Sequence, residues 1–173
     1  DKNKFPDCRG SGFNESLLAV LRMCARFYDL PFKKDFIEKI IRSQLKDQPL
    51  NINQLAAFCD LIGLKTYFLN PENKRELKRI PLPSIILYKD KPIVIWELIK
   101  NKFFVSDPSK GQILLAIDEL IQESTQRRLL LEVYSSVNDS DFRNELSSCT
   151  RTSTTCSQTD CTSGGKSTSQ VTS

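Results

Sequence analysis

Pro83-Ser84-Ile85-Ile86-Leu87-Tyr88, Pro92-Ile93-Val94-Ile95-Trp96-Glu97-Leu98 and Lys102-Phe103-Phe104-Val105-Ser106 decide the fold of this chain. Each is a short run rich in Ile, Val and aromatic residues, and turn formers bound them at Lys89–Lys91 and at Lys100–Asn101. Runs of this length joined by links this short predict consecutive antiparallel strands. Downstream, Asp107, Pro108 and Gly111 make the next bend and Ile113–Leu115 a last short strand. Asp118–Gln122 then reads as a helix, followed by Arg127–Tyr134. Upstream, Lys65–Leu69 reads as a short strand and Pro71–Lys78 as a charged helical turn.

Before Gly63 the period changes from two to about 3.6. Leu17, Leu18, Leu21, Cys24, Ala25 and Tyr28 share one helical face, with Asn14 placed to cap a helix from Glu15 and Pro31 to end it. A second amphipathic helix spans about Asp35 to Leu45, with Phe36, Ile37, Ile40 and Ile41 inward. Asn53 is placed to cap a third, striped by Leu55, Ala56, Cys59 and Ile62, and Gly63 suits its left-handed stop. Helices first and an antiparallel sheet after them make an α+β pattern. The division expected is an irregular lead-in over 1–12, one domain over 13–134, and a Ser/Thr-rich tail over 135–173 that serves as a flexible connector.

Composition excludes several function classes. The 173 residues contain no histidine. A Ser or Cys nucleophile usually depends on a neighbouring imidazole, so the common triads cannot be assembled. The six cysteines, at 8, 24, 59, 149, 156 and 161, form no CxxC, so no metal site is expected. Cys24 and Cys59 fall within apolar helical patterns and read as small core residues in a reduced setting. The formal charge of +4 is spread among acids, with no basic stripe and spaced aromatics, so no nucleic-acid partner is expected. No apolar run is long enough to span a bilayer. No cofactor motif is present.

Four stretches, in order, resemble the double-glycine leader peptidases, papain-like cysteine protease domains at the N-termini of bacteriocin-exporting ABC transporters. They are Ala25-Arg26-Phe27-Tyr28-Asp29, Leu55-Ala56-Ala57-Phe58 through Gly63-Leu64, Ile80-Pro81-Leu82-Pro83-Ser84-Ile85-Ile86-Leu87, and Asn101-Lys102 to Asp107-Pro108-Ser109-Lys110-Gly111. The resemblance covers about Phe13 to Ile121. It implies a papain-like α+β fold, a helical half packed on a small antiparallel sheet.

The family's catalytic positions can be carried over by spacing from these stretches. The nucleophilic cysteine falls at Ser16 and the acid before it at Glu15. The oxyanion-hole glutamine falls near Gly10. The histidine falls at Lys91, or at Pro92 if the turn differs by one residue. Only the aspartate is matched, by Asp107. Asp7-Cys8 resembles the family's Asp-Cys pair but lies about eight residues too early for its helix. Plainer readings stand beside these: Ser16 as a first-turn helix residue, Asp107 before Pro108 as a turn former, and Trp96 as strand core rather than a wall of the substrate cleft.

The resemblance therefore implies a non-catalytic relative, as in the peptidase-like N-terminal domains of haemolysin-type exporters. Its partners would be a secreted protein or peptide substrate and the exporter's membrane and ATPase domains, and its place the cytoplasmic side of a membrane-bound transporter. Substrate binding would involve Trp96 and Asp107 if the old cleft is reused. Two rivals remain. One is an active leader peptidase using a Ser16–Lys91 pair; the other is a structural or regulatory module of a larger transporter. The Ser/Thr/Cys tail with Gly164-Gly165 vaguely resembles a lanthipeptide core, without a closely preceding leader helix.

Overall fold

The computed structural model describes residues 4–123, 130–135 and 152–153. Most of the Ser/Thr-rich tail, with Cys149, Cys156, Cys161 and Gly164-Gly165, lies outside the described residues.

Three helices come first: α1 (Gly12–Phe27), α2 (Lys34–Leu45) and α3 (Ile52–Leu61). Strand β1 (Leu64–Leu69) and a single helical turn α4 (Lys74–Leu77) come next. Strands β2 (Ser84–Tyr88), β3 (Lys91–Ile99), β4 (Lys102–Asp107) and β5 (Gly111–Ala116) then run as an antiparallel meander. Helix α5 (Ile117–Glu123), strand β6 (Leu130–Ser135) and a two-residue strand β7 (Thr152–Ser153) complete the described chain. The α+β class and the helical half packed on an antiparallel sheet stand as the sequence predicts.

The sheet order is β5-β4-β3-β2-β6-β1-β7. Strand β6 sits between β1 and β2, pairing Leu64–Leu69 on one side and Ser84–Ile86 on the other. It therefore joins the early strand to the meander. The tight turn between β2 and β3 places Lys89 and Asp90 at positive φ (51° and 65°), as a two-residue hairpin link demands.

Both faces of the sheet are covered. Leu87, Val94, Trp96 and Val133 pack with α1, α2 and α3 in one core. Ile86, Tyr88, Ile93, Ile95, Phe103 and Val105 pack with Leu77 of α4 and Leu120 of α5 in a second. That is why all five residues of β2 are buried and its sequence does not alternate.

Two helix starts differ from expectation. Helix α1 begins at Gly12, ahead of the expected Glu15, and Asn14 does not cap it. The cap comes from the loop after α2. Asp47 Oδ1 accepts from the N–H groups of Phe13 and Asn14 at 3.1 and 3.2 Å, and Asn14 Oδ1 accepts in return from Asp47 N at 2.9 Å. Helix α3 is capped by Asn51 and not by Asn53. Asn51 Oδ1 accepts from Gln54 N and Gln54 Oε1 from Asn51 N, a reciprocal capping box. Gly63 has φ +86°, as its place after α3 requires.

Candidate functional site

Of the positions singled out from the sequence, Gly10, Ser16 and Lys91 lie around the N-terminal end of α1, whereas Trp96 lies beside Phe27 at its other end. Helix α1 packs against β3, and its first turns bury Ser16 completely. Among the described residues, Ser16 Oγ has no hydrogen-bond partner. The hydroxyl–amine hydrogen bond that a serine–lysine pair needs is thus not formed in this structure. Lys91 opens β3, half-buried, and its ammonium lies over the Phe13 ring, 5.9 Å from the centroid. Phe13 belongs to the first turn of α1, so Lys91 does reach the same end of the helix as Ser16. Pro92 comes next within β3, paired with Leu87.

Asp107 ends β4 and is buried. Its Oδ1 accepts from Ser109 N at 2.9 Å and from Ser109 Oγ at 2.7 Å. Lys110 N donates to the Asp107 carbonyl at 3.1 Å. The side chain thus closes the Asp107–Gly111 bend in the way aspartate commonly does before a turn. No ion pair joins Asp107 to Lys91 among the described residues. A second neighbour is the Tyr88 phenol, whose pKa is raised by burial first and then by the carboxylates of Glu119, Glu123 and Asp107.

Gly10 connects these parts. Its N–H donates to the Pro108 carbonyl at 3.0 Å, which ties the lead-in to the turn after Asp107. A Cβ at Gly10 would stand 2.6 Å from the Glu15 carbonyl oxygen. Backbone on backbone leaves no room for a side chain. Glu15 itself accepts from Ser11 N and Ser11 Oγ at 2.9 and 3.2 Å.

The lead-in is irregular, but it is docked along the sheet. Phe5 stacks on Trp96 with centroids 5.2 Å apart and planes 10° apart, and its carbonyl accepts from Gln112 Nε2 at 2.8 Å. Trp96 Nε1 donates to Ser106 Oγ at 2.8 Å, and Ser106 donates to the Pro6 carbonyl at 3.2 Å. Trp96, offered by sequence as strand core or cleft wall, therefore lies in the core beneath Phe5 and beside Phe27. Cys8 is also buried. Its Sγ accepts from an Arg26 guanidinium N–H at 3.3 Å. Burial raises its pKa, and Arg26 and Arg22 pull it back.

Two adjoining grooves run along the outer face of α1, of about 420 and 230 Å³. Neither is lined by Lys91, Trp96 or Asp107. The larger is bounded by the lead-in, α1 and α2, with Arg9, Arg22, Arg26 and Lys34 on its walls. Sequence reasoning missed it. The signal available was Arg22 and Arg26, one helical turn apart on α1. Among the described residues, no group of three or more His, Cys, Asp and Glu side chains is placed to hold a metal ion. No described helix is long and apolar enough to cross a membrane.

The family model described as "Peptidase C39 family" matches residues 9–136, most of the chain, with Gly10, Ser16, Lys91, Pro92, Trp96 and Asp107 inside the match. The chain belongs to the peptidase C39 family. No curated protein is significantly similar to it. Solved structures of peptidase C39 type share its fold. A double-glycine-motif protease from an AMS/PCAT transporter, solved in complex with the leader peptide, superposes with a TM-score of 0.60 at 19% identity, over 77% of this chain and 93% of that one. The peptidase domain of Streptococcus ComA, a bifunctional ABC transporter of a quorum-sensing pathway, gives 0.59 at 14% identity, over 75% and 97%. The N-terminal peptidase C39-like domain of a toxin-secretion ATP-binding protein from Vibrio parahaemolyticus gives 0.51 at 18%, over 70% and 97%. At these identities the likeness is one of fold. The papain-like fold implied by the sequence resemblance is the fold of this peptidase C39 domain.

Proposed function

We propose that this peptidase C39 domain is non-catalytic and binds the polypeptide carried by an ABC exporter of the type I secretion or bacteriocin kind. The observation that carries the reading is the absence of histidine from all 173 residues. The resemblance places a histidine base where this chain has Lys91 or Pro92. Four features of the site support it. The residue at the nucleophile's position, Ser16, is a fully buried serine whose hydroxyl has no partner among the described residues. The Lys91 ammonium faces an aromatic ring. Asp107 is engaged by its own turn. The glutamine's position falls near Gly10, whose surroundings exclude a side chain. Loss of a nucleophile, a base and an oxyanion donor leaves little of the rate enhancement such a site provides.

The exporter context rests on the likeness to transporter peptidase domains, one of them solved with a leader peptide bound. In that context residues 13–134 form the binding domain, on the cytoplasmic side of the transporter, and residues 135–173 connect it to the membrane and ATPase domains. A peptidase fold that no longer cuts can hold a substrate near the export channel without consuming it.

Incubation of the full chain with a double-glycine leader peptide tests the reading. Recovery of intact peptide, together with measurable binding of unfolded secretion substrate, is the expected result. Cleavage at the double glycine that stops on Ser16→Ala would establish a serine–lysine peptidase instead.

A further inference from the structure

We propose that the groove between the lead-in, α1 and α2 is a docking site for an acidic segment of a polypeptide. This deepens the reading given under Proposed function and rests on it for the identity of the partner. The groove, of about 420 Å³, presents Arg9, Arg22, Arg26 and Lys34. Its three acids are already engaged. Asp7 lies 3.7 Å from Arg9, Glu38 pairs with Arg42 at 2.8 Å, and Glu15 accepts from Ser11. Among the described residues, Arg22, Arg26 and Lys34 have no carboxylate partner.

Their placement is unfavourable in the isolated domain. Arg22 and Arg26 stand one turn apart on α1, where like charges repel. Both guanidinium groups bear on the thiol of Cys8, a weak acceptor that does not neutralise them. Lys34 sits in the first turn of α2, where a cation opposes the helix dipole. Carboxylates of a partner would relieve all three, and paired arginines suit carboxylates because the guanidinium fork meets them bidentately. Leu18 and Ala19 give the groove an apolar floor, and the smaller groove extends it along α1 to Ile41. Acids interleaved with apolar side chains would satisfy both walls and floor. A small anion would use only the walls.

The test is fluorescence anisotropy on the full chain, with a labelled peptide of alternating glutamate and leucine and its glutamine counterpart. The glutamate peptide should bind about tenfold or more tightly than the glutamine one, with the difference closing as salt shortens the screening length. The double variant Arg22→Gln/Lys34→Gln should lose about tenfold in affinity. Lys78→Gln/Arg79→Gln, two exposed cations outside the groove, should lose little. Equal binding of both peptides, equal loss in both variants, or displacement by inorganic phosphate as readily as by unlabelled peptide would overturn the proposal. Its failure is separable from that of the functional reading. If unfolded secretion substrate binds unchanged to the Arg22→Gln/Lys34→Gln chain, the groove is excluded and the non-catalytic binding role stands. If the chain cleaves a leader peptide, the functional reading fails whatever the groove binds.

Discussion

At Gly10 the backbone of the lead-in crosses the start of α1 so closely that a Cβ would meet the Glu15 carbonyl at 2.6 Å. A glutamine placed there should not supply an oxyanion donor. It should force the lead-in away from α1, stretch the Gly10–Pro108 hydrogen bond, and cost about 1–3 kcal/mol, as overpacking of a close contact does. Urea unfolding of Gly10→Gln measures this, and an unchanged midpoint would mean that the approach is looser than it stands. Ser16 predicts the opposite sign. Its hydroxyl is buried and, among the described residues, unpartnered, and such a group forfeits its hydration without recompense. Ser16→Ala should therefore leave stability unchanged or raise it by up to about 1 kcal/mol, where removal of a working nucleophile held by a base would usually break a bond. The same urea titration decides between them. The sequence singled out Ser16 by counting back from Arg26-Phe27-Tyr28, Lys91 or Pro92 as the start of the central strand, and Asp107 by its place before Pro108. Their surroundings were not, because Phe13 over Lys91, Ser109 under Asp107 and Phe5 over Trp96 are contacts made by folding.

The helix starts show why elements were easier to find than to bound. The apolar stripe of α1 was plain, yet its cap, Asp47, lies more than thirty residues away, and no local pattern marks it. Asn51 was within reach, since Asn51-Ile52-Asn53-Gln54 fits the spacing of a capping box, but Asn53 offered a competing cap two residues later. Asn51→Ala should cost about 1 kcal/mol, within the 0.5–2 typical of such caps, and Asp47→Ala at least as much, because it orphans two N–H groups of α1. Thermal unfolding of the two variants, with Asn53→Ala as the comparison, tests the assignment; a larger loss for Asn53→Ala would contradict it. Strands β2, β3 and β4 were readable to within a residue or two because short hairpin links fix their partners. Strand β6 was not assigned. Its pairing with both β1 and β2 joins segments that are distant in sequence, and composition alone does not name a strand's neighbours.

Covering both faces of the sheet buries titratable groups that a one-sided sheet would leave wet, and this fixes how the whole molecule responds to pH. Burial pushes the Cys24 thiol up to about 12 and the Cys59 thiol well above its ordinary value, and it raises Cys8 and the Tyr88 phenol as well. All four bind their protons more tightly folded than unfolded. Below the unfolded values, near 9 for the thiols and 10 for the phenol, both states are protonated and the groups make no difference. As pH rises past them the unfolded chain loses protons that the folded chain keeps, so stability falls, by up to about 1.4 kcal/mol per pH unit for each group, until the folded values are reached. The absence of histidine adds a second part, since no side chain here has an ordinary pKa between about 5 and 8. Melting temperature, followed by Trp96 fluorescence under reducing conditions, should be nearly flat from about pH 5.5 to 8 and decline steadily above about pH 9. The decline should be shallower in Cys24→Ala than in the parent chain, since that variant removes one of the protons at issue. The same alkaline slope in Cys24→Ala would show that the thiols are not held as deeply as the two-sided core requires, and a slope in the neutral range would show that a group other than these four changes its protonation there on folding.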